Sequence, residues 1–284
     1  MTSKLLAAHS LKWNPFSPEI PVEAILVTPA LESFTWRVEH LAREGGFALV
    51  TGEVGTGKSV ALRLLVERLS RLRDVKVGVL TRPQSALNDF YRELGDIFAV
   101  PLSPHNRWAG TKILRERWQA HVESALFRPV LVIDEAQDMP PACLNELRLL
   151  SSTALDSHLV LTVVLAGDAR LLEKLRRDDL LPLGSRIRVR LATESLSSDQ
   201  LATCLRHALA AAGNPKLMTP ELVAALSDHC AGNLRVLMTM AGELLDAALQ
   251  RDVDQLDEKL YLDVFHAARP APQRAAAAAD RRRR

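Results

Sequence analysis

The chain has 284 residues, of which 48% are hydrophobic and 25% are charged. This composition is typical of a globular protein of one or two domains, and it excludes fibrous and wholly disordered classes. The formal net charge is +2, but residues 269–284 contribute +5, so the other 268 residues sum to −3. Net charge therefore gives no argument that the folded body binds nucleic acid.

The apolar runs of the chain are all far shorter than the roughly 20 residues needed to span a bilayer. The apolar stretch after Met1–Lys4 is also too short for a signal peptide. The three cysteines, Cys143, Cys204 and Cys230, lie far apart and form no metal-binding pattern. We therefore expect a cytoplasmic protein with reduced, buried thiols and no membrane insertion.

From residue 47 onward, short β-branched runs alternate with helical patterns. This alternation predicts a sheet with helices on both faces. The runs indicate five strands, at Phe47–Thr51, Val75–Leu80, Val130–Ile133, Leu159–Ala166 and Ile187–Leu191.

Helix signals follow the first and third of these strands. Apolar residues recur at helical spacing from Leu62 to Leu69, with charged residues on the other side. After the third strand, Asp138 is a candidate N-cap, and Pro140 and Pro141 suit the first turn of a helix. Both patterns predict helices that pack on the sheet.

A polar linker at residues 193–198 is followed only by helical patterns. The signals Gly213–Pro215 and Thr219-Pro220 separate a first helix from a second, and two further helices are predicted at residues 233–249 and 255–266. The predicted organisation is an N-terminal segment (1–46), an α/β domain (47–192), a small helical domain (193–268) and a disordered Arg- and Ala-rich tail (269–284).

Residues 52–59 read Gly-Glu-Val-Gly-Thr-Gly-Lys-Ser and lie between a predicted strand and a predicted helix. This pattern is a phosphate-binding loop, or P-loop, in which glycines let backbone N–H groups wrap phosphates. Lys58 then reaches the β- and γ-phosphates, and the Ser59 hydroxyl binds Mg²⁺. The predicted nucleotide contacts are Gly52, Glu53, Val54, Gly55, Thr56, Gly57, Lys58, Ser59 and Val60.

Two acids, Asp134 and Glu135, follow the apolar third strand. The carboxyl end of such a strand is where an α/β sheet binds ligands. Alone, this pair usually marks a solvated turn, but after a P-loop it predicts ATP hydrolysis. Asp134 then holds Mg²⁺ through its water shell, and Glu135 activates the attacking water.

These motifs resemble AAA+ ATPases, and more narrowly the group of the general secretion protein ExeA and the transposition helpers TnsC and TniB. The resembling stretches are Lys12–Ser17, Gly46–Gly52, Asp134–Gln137 and Val164–Asp168, within a similarity spanning residues 8–265. The resemblance implies a P-loop NTPase of the α/β class, with a five-stranded, mainly parallel sheet between helices, followed by a small all-helical AAA+ lid domain.

The resemblance also implies two residues that respond to the γ-phosphate or complete the site. Asp168 falls at the γ-phosphate sensor position, although it equally suits an N-cap before Arg170. Arg186 matches the arginine finger that reaches a neighbouring subunit's nucleotide, with Arg188 as the substitute. Alternating arginines are also typical of a half-exposed edge strand.

Two more residues are implied at the nucleotide. Arg235 opens a lid helix as the second sensor of the family does, or it is an ordinary exposed arginine. Phe16 belongs to a segment that lies near the adenine in relatives, where its ring stacks on the base. The alternative for Phe16 is a core anchor.

The stretch 105–118 is basic with interleaved aromatic residues. In DNA-threading relatives this part of the domain faces the central channel, which implies phosphate contacts by Arg107, Lys112 and Arg115. The alternative is a solvated amphipathic helix with Leu114 and Trp118 packed inward.

For the process that ATP drives, the resemblance implies a ring or filament of identical subunits. We expect a DNA-transposition helper that assembles on double-stranded DNA and recruits or activates a transposase, because the secretion relative carries further segments after its ATPase. The alternatives are an ATPase for secretion or envelope assembly and a nucleotide-dependent adaptor. The Arg281–Arg284 tail either adds affinity for DNA or an acidic partner, or has no function.

Overall fold

The computed structural model describes residues 6–100, 107–124, 127–153 and 157–265. Its strands are β1 (Gly46–Gly52), β2 (Val75–Leu80), β3 (Arg128–Ile133), β4 (Ser152–Thr153), β5 (His158–Leu159), β6 (Thr162–Gly167) and β7 (Ile187–Thr193). Five of them form one sheet in the order β2-β3-β6-β1-β7, and every pair in it is parallel. The predicted five-stranded α/β sheet is confirmed.

Of the helices, one precedes the first strand, and the others lie between the strands and after the last one. They are α1 (Pro29–Glu44), α2 (Lys58–Ser70), α3 (Leu87–Phe98), α4 (Arg107–Glu123), α5 (Pro141–Ser151), α6 (Ala169–Leu175), α7 (Leu181–Gly184), α8 (Ser198–Ala212), α9 (Pro220–His229), α10 (Leu234–Arg251) and α11 (Glu258–Phe265). Short 3-10 turns occupy Val22–Ala24 and Ala136–Asp138.

Side chains alternate between the two faces of the sheet, and each face has its own apolar core. In β1, Phe47 and Leu49 join the core that helices α3, α4, α5 and α6 cover. Ala48 and Val50 join the core that α1 and α2 cover. Because both faces are covered, the inner strands β1, β3 and β6 read as nearly continuous apolar runs.

Helix α2 begins directly at the P-loop, with Gly57 as its N-cap residue. The predicted inward positions Leu62, Leu65 and Leu69 are buried, and they pack on the sheet. The sheet order places β6 between β1 and β3. The carboxyl ends of these three strands, each followed by a predicted functional residue, therefore meet at one edge of the sheet.

The predicted fourth strand, Leu159–Ala166, is wrong at its start. Leu159 pairs antiparallel with Ser152 in the separate β4–β5 ribbon, and β6 begins only at Thr162. The Gly46 N–H donates to the Leu161 carbonyl at 3.2 Å, where the chain enters the sheet. Residues 159–166 are apolar on both sides of the break between β5 and β6. Composition alone therefore did not reveal that the two parts pair with different strands.

The prediction of Asp138 as a helix N-cap is also wrong. Residues Ala136–Asp138 form a 3-10 turn, Met139 is extended, and α5 begins at Pro141 with Pro140 as its N-cap residue. Pro141 does occupy the first turn, as predicted, because proline fits where no N–H partner is needed, and Pro140 precedes it as the N-cap residue.

The chain forms two compact units. One comprises Pro21–Ser197 with Ala231–Val236, and the other comprises Met1–Ile20, Ser198–Cys230 and Leu237–Arg284. In the second unit, Thr219 caps α9 by accepting from the Leu222 N–H, as the sequence predicts. The helices predicted after residue 198 are confirmed there, while the predicted tail at 269–284 lies outside the described residues.

Within the described residues, no helix is long and apolar enough to cross a membrane. The three cysteines are free thiols; Cys143 and Cys230 are buried, and Cys204 is half-buried. Burial raises the pKa of the Cys230 thiol to about 11.

Candidate nucleotide-binding site

The predicted phosphate-binding loop forms the connection between β1 and α2. Gly55 and Gly57 have φ values of +86° and +99°, a region that residues with a side chain rarely adopt. A Cβ at Gly55 would lie 2.1 Å from Asn233 Oδ1. Both glycines are therefore required by the backbone, and the N-terminus of α2 faces the loop as an anion site requires.

Lys58 lies inside this loop, and its side chain is buried. The Lys58 Nζ donates to the carbonyls of Gly52 and Glu53, at 2.9 Å each. The ammonium group thus joins these two carbonyls at the start of the loop. Its position at the first residue of α2 is the one expected of a lysine that binds phosphates.

A pair of threonines fastens the loop to the edge strand β7. The Thr56 hydroxyl donates to the Glu53 carbonyl at 2.8 Å and lies 2.7 Å from Thr193 Oγ1. A Cβ at Gly52 would lie 2.0 Å from the same Thr193 oxygen. Gly52 therefore lets β7 approach the loop.

Ser59, in the first turn of α2, meets Asp134, which directly follows β3; the Ser59 hydroxyl donates to Asp134 Oδ2 at 2.9 Å. A hydroxyl and a carboxylate beside a phosphate loop are the hard oxygen donors that Mg²⁺ prefers, with phosphates and water completing its coordination. The two residues therefore fit the predicted Mg²⁺ site.

Glu135 follows Asp134 in the left-handed region, with φ +51°. A non-glycine residue there carries backbone strain, which is common at functional sites. Its carboxylate is exposed and accepts a hydrogen bond from Gln137 Nε2. The residue predicted to activate water thus lies exposed at the carboxyl end of β3, next to the two predicted Mg²⁺ donors.

Asp168 follows β6, at the same edge. Its side chain accepts from the Arg170 N–H at 2.9 Å, which confirms the predicted N-cap, and it forms an ion pair with the Arg170 guanidinium at 2.8 Å. The hydrogen bond from Arg170 holds the pKa of the Asp168 carboxyl below its usual value, and the charge of Lys58 contributes in the same direction. The γ-phosphate sensor function remains a prediction.

Residues 231–236 bring the start of α10 to the loop. Asn233 Nδ2 donates to the Val54 carbonyl at 3.2 Å, and the Arg235 N–H donates to the Gly55 carbonyl at 3.3 Å. Arg235 is exposed at this position. The predicted second sensor therefore lies beside the P-loop in the same compact unit.

Arg186 directly precedes β7, and its guanidinium donates to the Pro182 carbonyl. Along β7, buried Ile187, Val189 and Leu191 alternate with exposed arginines, and β7 is an edge strand. The half-exposed edge strand weighed from the sequence is confirmed. The arginine finger stays a prediction, with Arg188 in an ion pair to Glu44 at 3.6 Å.

Two further predicted contacts are those of Phe16 and of helix α4. Phe16 is 7% exposed in the helical unit, where its Cβ lies close to Gly242, so a core position is observed and the adenine contact stays a prediction. In α4, Leu114 and Trp118 are buried, and Lys112 is exposed. This confirms the amphipathic helix and leaves DNA contact untested; the side chain of Arg107 and residues 281–284 lie outside the described part.

Sequence reasoning missed three residues of this site: Thr193, Asn233 and Gln137. Asn233 had a detectable signal, because it directly precedes a helical pattern as N-caps do. Thr193 and Gln137 reach the site because the fold brings distant segments together, so no local sequence pattern predicts their hydrogen bonds.

A glycine-rich loop between strand and helix, with a lysine, a serine and a strand-end aspartate converging on it, defines a P-loop NTPase with a helical C-terminal part. Residues 41–175 match the family model described as an AAA domain. General secretion pathway protein A of Aeromonas hydrophila is 32% identical over 211 residues, covering 73% of this chain and 38% of that protein. The fold and these two matches together support an AAA+ P-loop ATPase. The chain spans well under half of the length of this relative.

Solved structures agree on the fold. ORC2 of Aeropyrum pernix, in ADPNP-ADP complexes, is 16% identical with a TM-score of 0.69, over 89% of this chain and 71% of that one. Drosophila ORC bound to DNA is 17% identical with a TM-score of 0.69, over 95% and 67% of the two chains. At such low identity, the likeness concerns the fold alone.

Proposed function

We propose that this chain binds ATP with Mg²⁺ at residues 52–60 and hydrolyses it. The observation that carries the proposal is the 2.9 Å hydrogen bond between Ser59 and Asp134 beside the loop that Lys58 spans. Lys58 turns from the loop carbonyls to the β- and γ-phosphates, and Ser59 and Asp134 hold the ion. When bound, Mg²⁺ neutralises charge that develops on the phosphates.

The remaining assignments complete the reaction. Glu135 orients and activates the attacking water, and Arg235 contacts the γ-phosphate from the start of α10. Arg186, from a neighbouring copy, neutralises transition-state charge, which makes the active form a ring or filament. In this proposal Phe16 stacks on the adenine, and Asp168, which pairs with Arg170, senses the γ-phosphate.

Two processes are candidates for what ATP turnover drives. Secretion or envelope assembly is favoured by the 32% identity to general secretion pathway protein A. A transposition helper that assembles on double-stranded DNA and recruits a transposase rests on the motif resemblance and on the basic residues Arg107, Lys112 and Arg115. A nucleotide-dependent adaptor is the outcome if binding occurs without turnover.

Glu135→Gln tests the proposal. Because the amide cannot accept the proton of the attacking water, we expect turnover to fall by about 100-fold or more while ATP affinity stays within about 2-fold. The variant also traps ATP-bound assemblies. Turnover measured by phosphate release, and affinity measured with a fluorescent ATP analogue, check both parts; unchanged turnover removes Glu135 from its assigned role.

A further inference from the structure

We propose that Gln137 is a positioning residue that fixes the Glu135 carboxylate and couples it to the β6–α6 junction. The inference rests on the proposed ATP hydrolysis. Gln137 is 6% exposed, and its amide is bonded at both ends. Nε2 donates to Glu135 Oε2, and Oε1 accepts from the Asp168 N–H at 3.3 Å.

The chemistry of the two partners sets the orientation of this amide. A backbone N–H only donates, and an ionised carboxylate only accepts, so the amide oxygen faces Asp168 and the nitrogen faces Glu135. Because the amide is planar, fixing the oxygen against β6 also fixes the nitrogen against the carboxylate. Gln137 is thus a rigid spacer between the strand end and the proposed catalytic glutamate.

Gly167, the last residue of β6, provides the space for this spacer. A Cβ at Gly167 would lie 2.4 Å from Gln137 Oε1 and 2.9 Å from Leu171 Cδ2. Any larger residue there would displace the amide. Gly167 therefore allows the Gln137 amide to lie against the end of β6.

Lys174, on α6, holds the backbone of the same turn. Its Nζ donates to the carbonyls of Gln137 at 2.7 Å and Met139 at 2.6 Å. Burial lowers the pKa of this lysine. Both the main chain and the side chain of Gln137 are therefore tied to residues 167–174, so a movement of this segment is transmitted to Glu135.

The orientation of the Glu135 carboxylate depends on its hydrogen bond with Gln137, because it makes no other hydrogen bond within the described part of the chain. Its side chain is exposed at the open edge of the sheet and is free to rotate once the Gln137 amide is removed. A base held in many orientations is correctly placed only part of the time, which lowers the rate of the chemical step without changing substrate binding.

The test uses two variants of the full-length chain and a matched control. Gln137→Met removes both polar ends at similar length, and Gln137→Glu keeps the acceptor for the Asp168 N–H but replaces the donor with a second carboxylate. We expect kcat to fall about 10- to 100-fold in both, with KM for ATP within about 2-fold. Gln119→Met breaks an exposed Gln119–Glu123 bond of 2.8 Å and should leave kcat unchanged without DNA.

A double variant separates positioning from general damage to the fold. If Gln137 acts through Glu135, adding Gln137→Met to Glu135→Gln lowers the residual kcat no further. A wild-type chain without ATP turnover contradicts the proposed function. A wild-type chain that turns over ATP, with Gln137 variants that melt normally and keep or raise kcat, overturns this inference alone.

Discussion

The Asp168 side chain both caps a helix and forms an ion pair, and a single substitution separates the two interactions. Its carboxylate caps α6 and pairs with the Arg170 guanidinium, which lowers its pKa. Asparagine caps helices as well as aspartate does but carries no charge. Asp168→Asn therefore removes the ion pair and keeps the cap.

We predict that the wild type is more stable than Asp168→Asn at neutral pH and that this difference is lost in acid. A lowered folded-state pKa stabilises the fold above the unfolded value of about 3.9, and the stabilisation disappears as pH falls through the folded value. Urea unfolding from pH 7 to pH 3 measures the difference. A difference that stays constant with pH would show that the charge of Asp168 contributes nothing.

At the scale of elements, the sequence analysis missed the contact of Asn233, at the N-terminus of α10, with the P-loop. Asn233 Oδ1 accepts from the Val236 N–H at 3.1 Å, while Nδ2 donates to the Val54 carbonyl in the P-loop. One side chain therefore caps the helix and supports the loop. Its loss should affect both stability and nucleotide binding.

Asn233→Ala is expected to lower the free energy of unfolding by about 1 kcal/mol, as the loss of a cap does. It should also weaken ATP binding by about 3- to 10-fold, because one neutral hydrogen bond to the loop is lost. Thr219→Ala removes the cap of α9, in the other compact unit, and should cost similar stability with unchanged affinity. Equal ATP affinity in both variants would contradict the role of Asn233.

The sheet was predictable because its inner strands are buried on both faces and form apolar runs, two of which lead into Asp134 and Gly52. Helix α2 was predictable from the spacing of Leu62, Leu65 and Leu69. Helix α1 was missed, although Thr28-Pro29 is a start signal and its apolar residues have helical spacing. The β5–β6 break and the Gln137 contacts depend on which segments become neighbours, which local patterns do not encode.

At the scale of the molecule, the driven process is decided by what the ATP-bound protein assembles on. If the transposition-helper proposal holds, ATP and duplex DNA together produce rings or filaments, and DNA raises turnover. Sedimentation and electron microscopy with each component alone and combined measure this. Assembly and turnover that are indifferent to DNA would instead favour secretion or envelope assembly.

The most direct test of the ATPase assignment is phosphate release from ATP by the wild-type chain as Mg²⁺ is titrated, beside Ser59→Ala. We predict Mg²⁺-dependent release by the wild type. Ser59→Ala should need about 10-fold more Mg²⁺ for half-maximal rate, because one oxygen donor is missing. Wild-type protein that releases no phosphate at any Mg²⁺ concentration, with or without duplex DNA, would contradict the assignment.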